Sequence, residues 1–170
     1  VFVGSIMGSE TTAAATGAVG VVRRDPMAML PFCGYNMGDY WKHWIEIGES
    51  LDPEKAPKIF NVNWFRKDDE GNFLWPGFGD NMRVLDWIID RCDGKVDAQE
   101  TAIGYLPYAK DINLEGLDMT EADLDKILDV DKAAWEEELK GVEELYAKFE
   151  DTLPAELADE LSKVKENLEK

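Results

Sequence analysis

The last third of the chain has the clearest spacing of apolar and polar positions. From Leu117 onward, apolar residues recur every three or four positions, the spacing of one face of an α-helix. The two longest stripes are Trp135, Leu139, Val142, Tyr146 and Phe149, and then Leu157, Leu161, Val164 and Leu168. They predict a helical tail over residues 117–170 with a break near Thr152-Leu153-Pro154. Each stripe spans about two heptads, which favours packing on a larger domain over a coiled coil.

Shorter patterns predict three further helices. Trp41, Trp44 and Ile45 share one face of a helix over residues 40–47. A second helix is predicted to begin at an N-cap, Asp80 or Asn81, and to end at Gly94. A third follows Thr120-Glu-Ala-Asp123, which resembles a capping box with Asp in place of Glu. The apolar faces predicted for the last two are Met82, Leu85, Ile89 and Cys92, and Leu124, Ile127 and Leu128.

Three apolar runs predict β-strands, so that the expected fold class is mixed α/β. Residues 1–7 form a run typical of a buried strand, and residues 58–64 predict a central strand. Val21-Val22 predicts a short third strand. Because the chain opens with Val1 inside an apolar run and has no initiator Met, we expect it to begin within a domain.

Charge and cysteine usage narrow the possible partners. The net charge is −18, and residues 101–170 alone hold 20 acidic against 8 basic residues. Proteins that bind nucleic acid need a basic face to neutralise phosphates, so no nucleic-acid partner is expected. No apolar run reaches transmembrane length, so no membrane partner is expected either. Cys33 and Cys92 lack Cys-x-x-Cys spacing, which favours a reducing cytoplasm.

Seven aromatic residues lie between Phe60 and Trp87. Turn residues separate their rings, Asp-Glu-Gly-Asn at 69–72 and Pro-Gly-Phe-Gly at 76–79, so loops are predicted rather than core strands. Aromatic faces stack on nucleobases, and loops that carry bulky rings usually serve binding. An Asn side chain has both an acceptor and donors, so Asn81 can distinguish guanine from adenine. These features predict a pocket for a planar ligand, although a plain apolar core is the alternative and is preferred for Phe60, Trp64 and Trp87.

Residues 8–20 are small and carry a single charge, on Glu10. Ala, Thr and Gly side chains give the backbone little to anchor it, which predicts a mobile loop whose ordering costs conformational entropy. A phosphate-binding loop is the weaker alternative, because no Gly-Lys-Ser/Thr follows.

Several sequence blocks, in order over essentially the whole chain, resemble GTP-dependent phosphoenolpyruvate carboxykinase. They are Ser9-Glu-Thr-Thr-Ala-Ala-Ala15, Pro31-Phe-Cys-Gly-Tyr-Asn36, Asn63-Trp-Phe-Arg-Lys-Asp68, Phe73-Leu-Trp-Pro-Gly-Phe-Gly-Asp-Asn81 and Ile103-Gly-Tyr-Leu-Pro107. The resemblance implies that residues 1–170 are the carboxy-terminal part of the nucleotide-binding domain of a longer enzyme. It implies reversible conversion of oxaloacetate and GTP to phosphoenolpyruvate, GDP and carbon dioxide by a cytoplasmic enzyme that is a monomer at full length.

The resemblance assigns two functional segments, a guanine pocket in the loops at about 63–81 and an Ω-loop lid at about 8–20. In the pocket, three Phe rings enclose guanine, and Asn81 and nearby backbone groups hydrogen-bond the base. The implied GTP-binding residues are Phe65, Phe73, Phe78, Gly79, Asp80 and Asn81, and the implied lid residues are Ser9, Glu10, Thr11, Thr12, Ala13, Ala14 and Ala15. Gly8 stands where many relatives are expected to carry Arg.

The remaining catalytic parts are expected outside this chain. The resemblance implies Mn²⁺, and a second ion, Mg²⁺ or Mn²⁺, bound with GTP, but no ligand set or P-loop lysine is recognisable, so no catalytic residue is assigned here. His43 is expected to be structural. Among Arg23, Arg24 and Arg66, Arg66 is the best candidate for contacting phosphate, although pairing with the acidic surface is preferred. The alternative function is a non-catalytic module that binds a purine nucleotide or an apolar partner.

Overall fold

The computed structural model describes residues 1–10 and 22–170 of the chain. Its helices are α1 Phe2–Ser5, α2 Met37–Ser50, α3 Asn81–Cys92, α4 Glu121–Leu128, α5 Lys132–Tyr146 and α6 Ala155–Glu169. Its strands are β1 Gly8–Glu10, β2 Val22–Arg24, β3 Gln99–Thr101 and β4 Gly104–Leu106. The predicted mixed class is confirmed, with helices predominating. None of the helices in these two ranges is long and apolar enough to cross a membrane.

The chain divides into two compact units. The first unit consists of residues 1–57 and 132–170, and the second consists of residues 58–131. Each unit holds one antiparallel strand pair, β1 with β2 in the first and β3 with β4 in the second.

The first unit has a helical core that follows the predicted stripes. Leu139 and Val142 of α5 are buried, as are all four predicted residues of α6, and the two helices pack on one another. A short 3₁₀ helix, Ala147–Thr152, and then Pro154 separate them, as predicted. Trp41 of α2 is fully buried, with its ring centroid 5.9 Å from that of Tyr146 and 4.5 Å from that of Phe149. Both tail helices and the helix at residues 40–47 are therefore confirmed.

The strand predicted for residues 1–7 is wrong. Phe2–Ser5 form a single helical turn, α1, which packs against α6 and the short helix Pro26–Ala28. The backbone N–H of Ser5 donates to the carbonyl of Val1 at 2.9 Å, so the turn satisfies its own polar groups. Ser5 is fully buried, and its hydroxyl lies 2.6 Å from the hydroxyl of Tyr146. A short apolar run fits a buried helical turn as well as a strand, since it carries no period of its own.

The central strand predicted for residues 58–64 is also wrong. This segment has no regular structure, and it pairs with none of the strands in the described residues. Its side chains hold it instead. Phe60 and Trp64 pack against the core of the second unit, and the ammonium of Lys58 lies 3.3 Å from the last carbonyls of α3. Ile59, which lies between Lys58 and Phe60 in the sequence, is 84% exposed.

Helix α3 ends as predicted but buries a different face. Gly94 has φ +71°, its N–H donates to the carbonyl of Arg91, and the N–H of Lys95 donates to that of Asp90, which is a Schellman motif. The predicted stripe of Met82, Leu85, Ile89 and Cys92 is exposed, while Trp87, Val84 and Ile88 contact the core. The indole of Trp87 is the largest apolar group on the helix, so its burial decides which side faces inward.

The second unit has a smaller core of Trp75, Trp87, Ala109, Ile112 and Leu124. Leu124 lies on α4, whose Thr120–Asp123 capping box is confirmed in both directions. The N–H of Asp123 donates to the Thr120 hydroxyl at 3.2 Å, and the N–H of Thr120 donates to the Asp123 carboxylate at 3.1 Å. Ile127 and Leu128 pack beside Leu124, as the stripe predicted.

Candidate functional site

A tight turn at residues 68–72 shapes the aromatic loops. One carboxylate oxygen of Asp68 accepts the backbone N–H groups of Glu70 at 3.0 Å and Asn72 at 2.8 Å, and Gly71 takes φ +85°. The hydrogen bond from the Asn72 backbone, with further bonds from the turn, lowers the pKa of Asp68 below its ordinary value. The turn reverses the chain, so that Lys67 and Phe73 form an isolated antiparallel bridge.

This turn brings two of the three predicted pocket rings together at the surface. The centroids of Phe65 and Phe73 are 6.0 Å apart with an interplanar angle of 63°, and the Lys67 ammonium lies 5.1 Å from the Phe73 centroid. Phe65 is 71% exposed and Phe73 is 57% exposed. Both rings thus leave apolar surface open to a ligand.

The third ring, Phe78, stands in the short 3₁₀ helix Phe78–Asp80, directly before α3. It is 92% exposed and makes no ring contact with another aromatic residue in the part of the chain described. Gly77 precedes it with φ +129°, a conformation that an L side chain rarely adopts. Next to Gly79 no atom lies within 4 Å of the position that a Cβ would take, so the backbone there is open to close approach.

Asn81 is the first residue of α3 and does not cap the helix. Asp80 occupies the N-cap position without a capping hydrogen bond from its side chain, and its carboxylate instead accepts from Nε of Arg83 at 3.1 Å. The Oδ1 atom of Asn81 accepts the indole N–H of Trp75 at 2.9 Å. The predicted helix start is confirmed, whereas side-chain capping by Asp80 or Asn81 is wrong.

Arg66 contacts the end of a helix in the second unit, and its candidacy for contacting phosphate stays a prediction. Its Nη1 donates to the carbonyls of Ile127 at 2.8 Å and Asp129 at 2.6 Å, at the carboxyl end of α4. The last carbonyls of a helix lack partners within it, so a guanidinium is a favourable partner for them. Sequence reasoning missed this contact because 61 positions separate Arg66 from Ile127. Because Arg66 is hydrogen-bonded to the end of α4, the backbone next to Phe65 is anchored to that helix.

The other two arginines, Arg23 and Arg24, pair with acidic side chains, the role preferred from sequence over contact with phosphate. Arg23 lies 3.5 Å from the carboxylate of Asp25, and Nη1 of Arg24 lies 2.5 Å from Oε1 of Glu138.

An open hollow beside the turn is unsuited to phosphate. Its lining consists of Asp68, Asp69, Leu74, Lys126 and Asp129. Three carboxylates against one ammonium make the local potential negative, which disfavours a nucleotide triphosphate.

Strands β1 and β2 lie at the two ends of the predicted lid. Ser9 pairs with Arg23 and Glu10 pairs with Val22, and the Ser9 hydroxyl donates to the carboxylate of Asp25 at 2.9 Å. A Cβ placed on Gly8 would lie 2.8 Å from Cγ1 of Val22, so an Arg there would require Val22 to move. The remaining predicted lid residues, Thr11, Thr12, Ala13, Ala14 and Ala15, lie outside the described residues, as does Val21.

The described residues do not fit a metal centre. Within residues 1–10 and 22–170, no group of three or more His, Cys, Asp or Glu side chains is arranged to hold an ion. His43 lies exposed on α2. Its ring contacts the ring of Trp44, with the two centroids 6.1 Å apart.

Known proteins similar to this chain agree on one family. The family model described as phosphoenolpyruvate carboxykinase C-terminal P-loop domain matches residues 1–167. A relative from Paenarthrobacter aurescens is 57% identical over 168 residues, which are 99% of this chain and 28% of that protein. A relative from Treponema pallidum is 56% identical over 163 residues, which are 95% of this chain and 26% of that protein. Both relatives are named phosphoenolpyruvate carboxykinase (GTP).

This chain therefore spans less than a third of the length of the relatives that it matches. The matched region nevertheless covers nearly all of the chain, including the aromatic loops and strands β1 and β2. The chain belongs to the family of GTP-dependent phosphoenolpyruvate carboxykinases, and it matches the model of their carboxy-terminal P-loop domain.

Proposed function

We propose that this chain supplies the guanine pocket and the lid of an enzyme that converts oxaloacetate and GTP to phosphoenolpyruvate, GDP and carbon dioxide. The proposal rests on a difference in exposure among the seven aromatic rings between Phe60 and Trp87. Phe65 and Phe73 on the loops, and Phe78 in the short 3₁₀ helix before α3, are exposed. Of the other four rings, Trp75 and Trp87 belong to the core of the second unit, and Phe60 and Trp64 pack against it.

Stacking supports a purine base as the ligand of these rings. An aromatic side chain that stacks on a base contributes roughly 1–3 kcal/mol to binding in proteins that hold single-stranded nucleic acids. Covering exposed phenylalanine rings with a flat apolar surface contributes favourable free energy to binding, because apolar area is removed from water. Gly79 and Asp80 lie between Phe78 and Asn81, and the open space beside Gly79 would let the base approach the backbone. The acidic hollow beside Asp68 disfavours phosphate, so the triphosphate would extend away from it.

The lid proposal rests on chemistry and on the strands at its ends. Decarboxylation of oxaloacetate leaves the enolate of pyruvate, which water protonates unless phosphoryl transfer occurs first. A segment that closes over the site would keep water out during this step. We assign that role to residues 9–15, whose first residues pair with β2.

The metal ions, the P-loop and the residues that hold oxaloacetate are proposed to lie in parts of the enzyme outside this chain. Mn²⁺, with Mg²⁺ or Mn²⁺ on the nucleotide, would supply charge neutralisation at the phosphates. We further propose that the full-length enzyme is a cytoplasmic monomer.

The pocket is tested with Phe78→Ala in the full-length enzyme. Loss of one stacking face should raise the KM for GTP about tenfold while changing the KM for oxaloacetate little, since no reacting group is removed. Ile59→Ala is the matched control, because Ile59 is similarly exposed in the same unit but lies outside the loops at 63–81. Equal rises in both KM values, or the same effect from Ile59→Ala, would contradict the pocket assignment.

The lid is tested by replacing residues 12–17 with a short glycine linker. We expect the KM for GTP to stay near its original value while part of the oxaloacetate consumed appears as pyruvate instead of phosphoenolpyruvate. The ratio of the two products is the measurement. An unchanged ratio with a raised KM for GTP would indicate a nucleotide clasp and not a lid.

A further inference from the structure

The hydrogen bond between Trp75 and Asn81 fixes the orientation of an amide. The indole N–H is a donor only, so its partner at 2.9 Å must be the amide oxygen Oδ1 of Asn81. Trp75 is 5% exposed and belongs to the core of the second unit, so its ring cannot turn without disturbing that core. Asn81 is therefore held by a rigid partner.

Orientation matters because the two halves of an Asn amide are chemically opposite. Guanine presents a carbonyl oxygen, O6, where adenine presents an amino group. An amide free to rotate by 180° offers either donors to O6 or an acceptor to the adenine amino group. With Oδ1 bonded to Trp75, the two N–H groups of Nδ2 remain for a ligand. Within the described residues they donate to no protein group.

We propose that Trp75 is a positioning residue for nucleotide selectivity: it holds the Asn81 amide with its donors toward the base, so that guanine is accepted and adenine is rejected. This inference rests on the proposed guanine pocket. It assigns the choice between the two purines to a core tryptophan that need not touch the nucleotide. A site that presents only donors to that edge leaves the adenine amino group facing another donor.

The same core supplies a matched control. The indole N–H of Trp87 is buried and has no hydrogen-bond partner in the described part of the chain. Trp75→Phe and Trp87→Phe thus remove the same atoms from one apolar cluster, but only the first also removes a hydrogen bond. Any effect of reduced ring volume should appear in both variants.

The experiment measures kcat/KM for GTP, ITP and ATP with the full-length enzyme. For Trp75→Phe we expect the ratio of GTP to ATP to fall about tenfold, because one orienting hydrogen bond is lost. ITP should follow GTP, since hypoxanthine keeps O6. Trp87→Phe should leave the ratio unchanged. The double variant Trp75→Phe with Asn81→Ala should match Asn81→Ala alone, because Trp75 acts through Asn81.

A second variant keeps the inference testable if Trp75→Phe fails to fold. Asn81→Asp retains an acceptor for Trp75 and removes both donors, and an acid at the first turn of a helix is compatible with folding. It should lower kcat/KM for GTP and ITP and raise the relative use of ATP. An unchanged GTP to ATP ratio in Asn81→Asp would overturn the inference, as would equal effects of Trp75→Phe and Trp87→Phe.

These outcomes separate the inference from the function on which it rests. If Asn81→Ala lowers the GTP to ATP ratio and Trp75→Phe does not, the pocket stands and the positioning role of Trp75 is wrong. If neither Asn81→Ala nor Phe78→Ala alters the use of GTP, the pocket itself is wrong.

Discussion

The two units build their cores in different ways. In the first, residues at helical spacing on α5 and α6 interlock, with Leu139 and Val142 almost completely buried. In the second, only α3 and α4 exceed a single turn, and polar contacts arrange long loops around a small apolar cluster. Arg66 and Arg83 are two examples: Arg66 donates to the end of α4, and Arg83 donates to the carbonyls of Asn113 and Glu115 at 2.7 and 2.9 Å.

This difference indicates how stability and binding are divided. Apolar burial in the first unit is spread over many side chains, so the loss of one weakens the unit without displacing a particular group. In the second unit, single hydrogen bonds set the course of loops that carry the exposed rings. Substitutions there should alter binding more than they alter stability.

The largest expected effect on stability comes from Val142→Ala. Its side chain is fully buried between packed helices, so the cavity should lower the free energy of unfolding of the first unit by about 2–3 kcal/mol. Hydrogen exchange of the α5 and α6 amides measures this loss. Phe78→Ala should change stability by less than about 0.5 kcal/mol, since its ring is exposed. Similar losses from both variants would remove the distinction between the units.

An intermediate effect is expected from Arg66→Met. The variant keeps most of the apolar stem and removes two hydrogen bonds from a charged donor, which should cost about 1–3 kcal/mol locally. Because Phe65 is the adjacent residue, the KM for GTP should rise as well. Arg66→Lys, which keeps the charge, should recover part of both. A normal KM for GTP in Arg66→Met, measured beside faster hydrogen exchange at residues 63–75, would show that the anchor does not govern the pocket.

The smallest expected effect is on the stability of the start of α4 at acidic pH. The hydrogen bond from the Thr120 side chain, and then that from Lys126, lowers the pKa of Asp123 to about 2 from an ordinary value of 3.8. A lowered pKa in the folded state contributes stability that is present above about pH 4 and is lost as the pH falls through about 2. The start of α4 should therefore loosen only below pH 4, and Thr120→Ala should move that loss toward higher pH. A carboxyl NMR titration of Asp123 gives the test, and a midpoint near 3.8 would contradict it.

Sequence reasoning succeeded where a repeated spacing coincided with a buried face. The stripes of α5 and α6 and the Thr120 capping box depend on neighbours three or four positions away, so local sequence determines them. It failed for residues 1–7 and 58–64, because an apolar run does not show which backbone segment will pair with it. It also chose the wrong face of α3, where Trp87 competes with an equally regular stripe.

The candidate site was predictable in its residues and not in its contacts. The motif marks Phe65, Phe73, Phe78 and Asn81 for binding guanine, which stays a prediction, and nothing in the motif indicates that Trp75 bonds to Asn81. Trp75 reads as one more aromatic residue in the segment, because a tryptophan N–H leaves no pattern in sequence. The contact of Arg66 with α4 is equally hidden, since it joins two distant stretches of chain.

The first unit is interrupted by the whole of the second, and this order has a consequence for synthesis on the ribosome. Ser5 and Tyr146 share a buried hydrogen bond although 141 positions separate them. The contacts of Ser5 with Tyr146 and of Trp41 with Tyr146 and Phe149 therefore cannot form until α5 and the short helix after it have emerged from the ribosome. The second unit is continuous in sequence and can fold during that interval. Nascent chains from which residue 131 has just emerged should thus lack the contacts of Trp41 with Tyr146 and Phe149, while their aromatic loops are already in place.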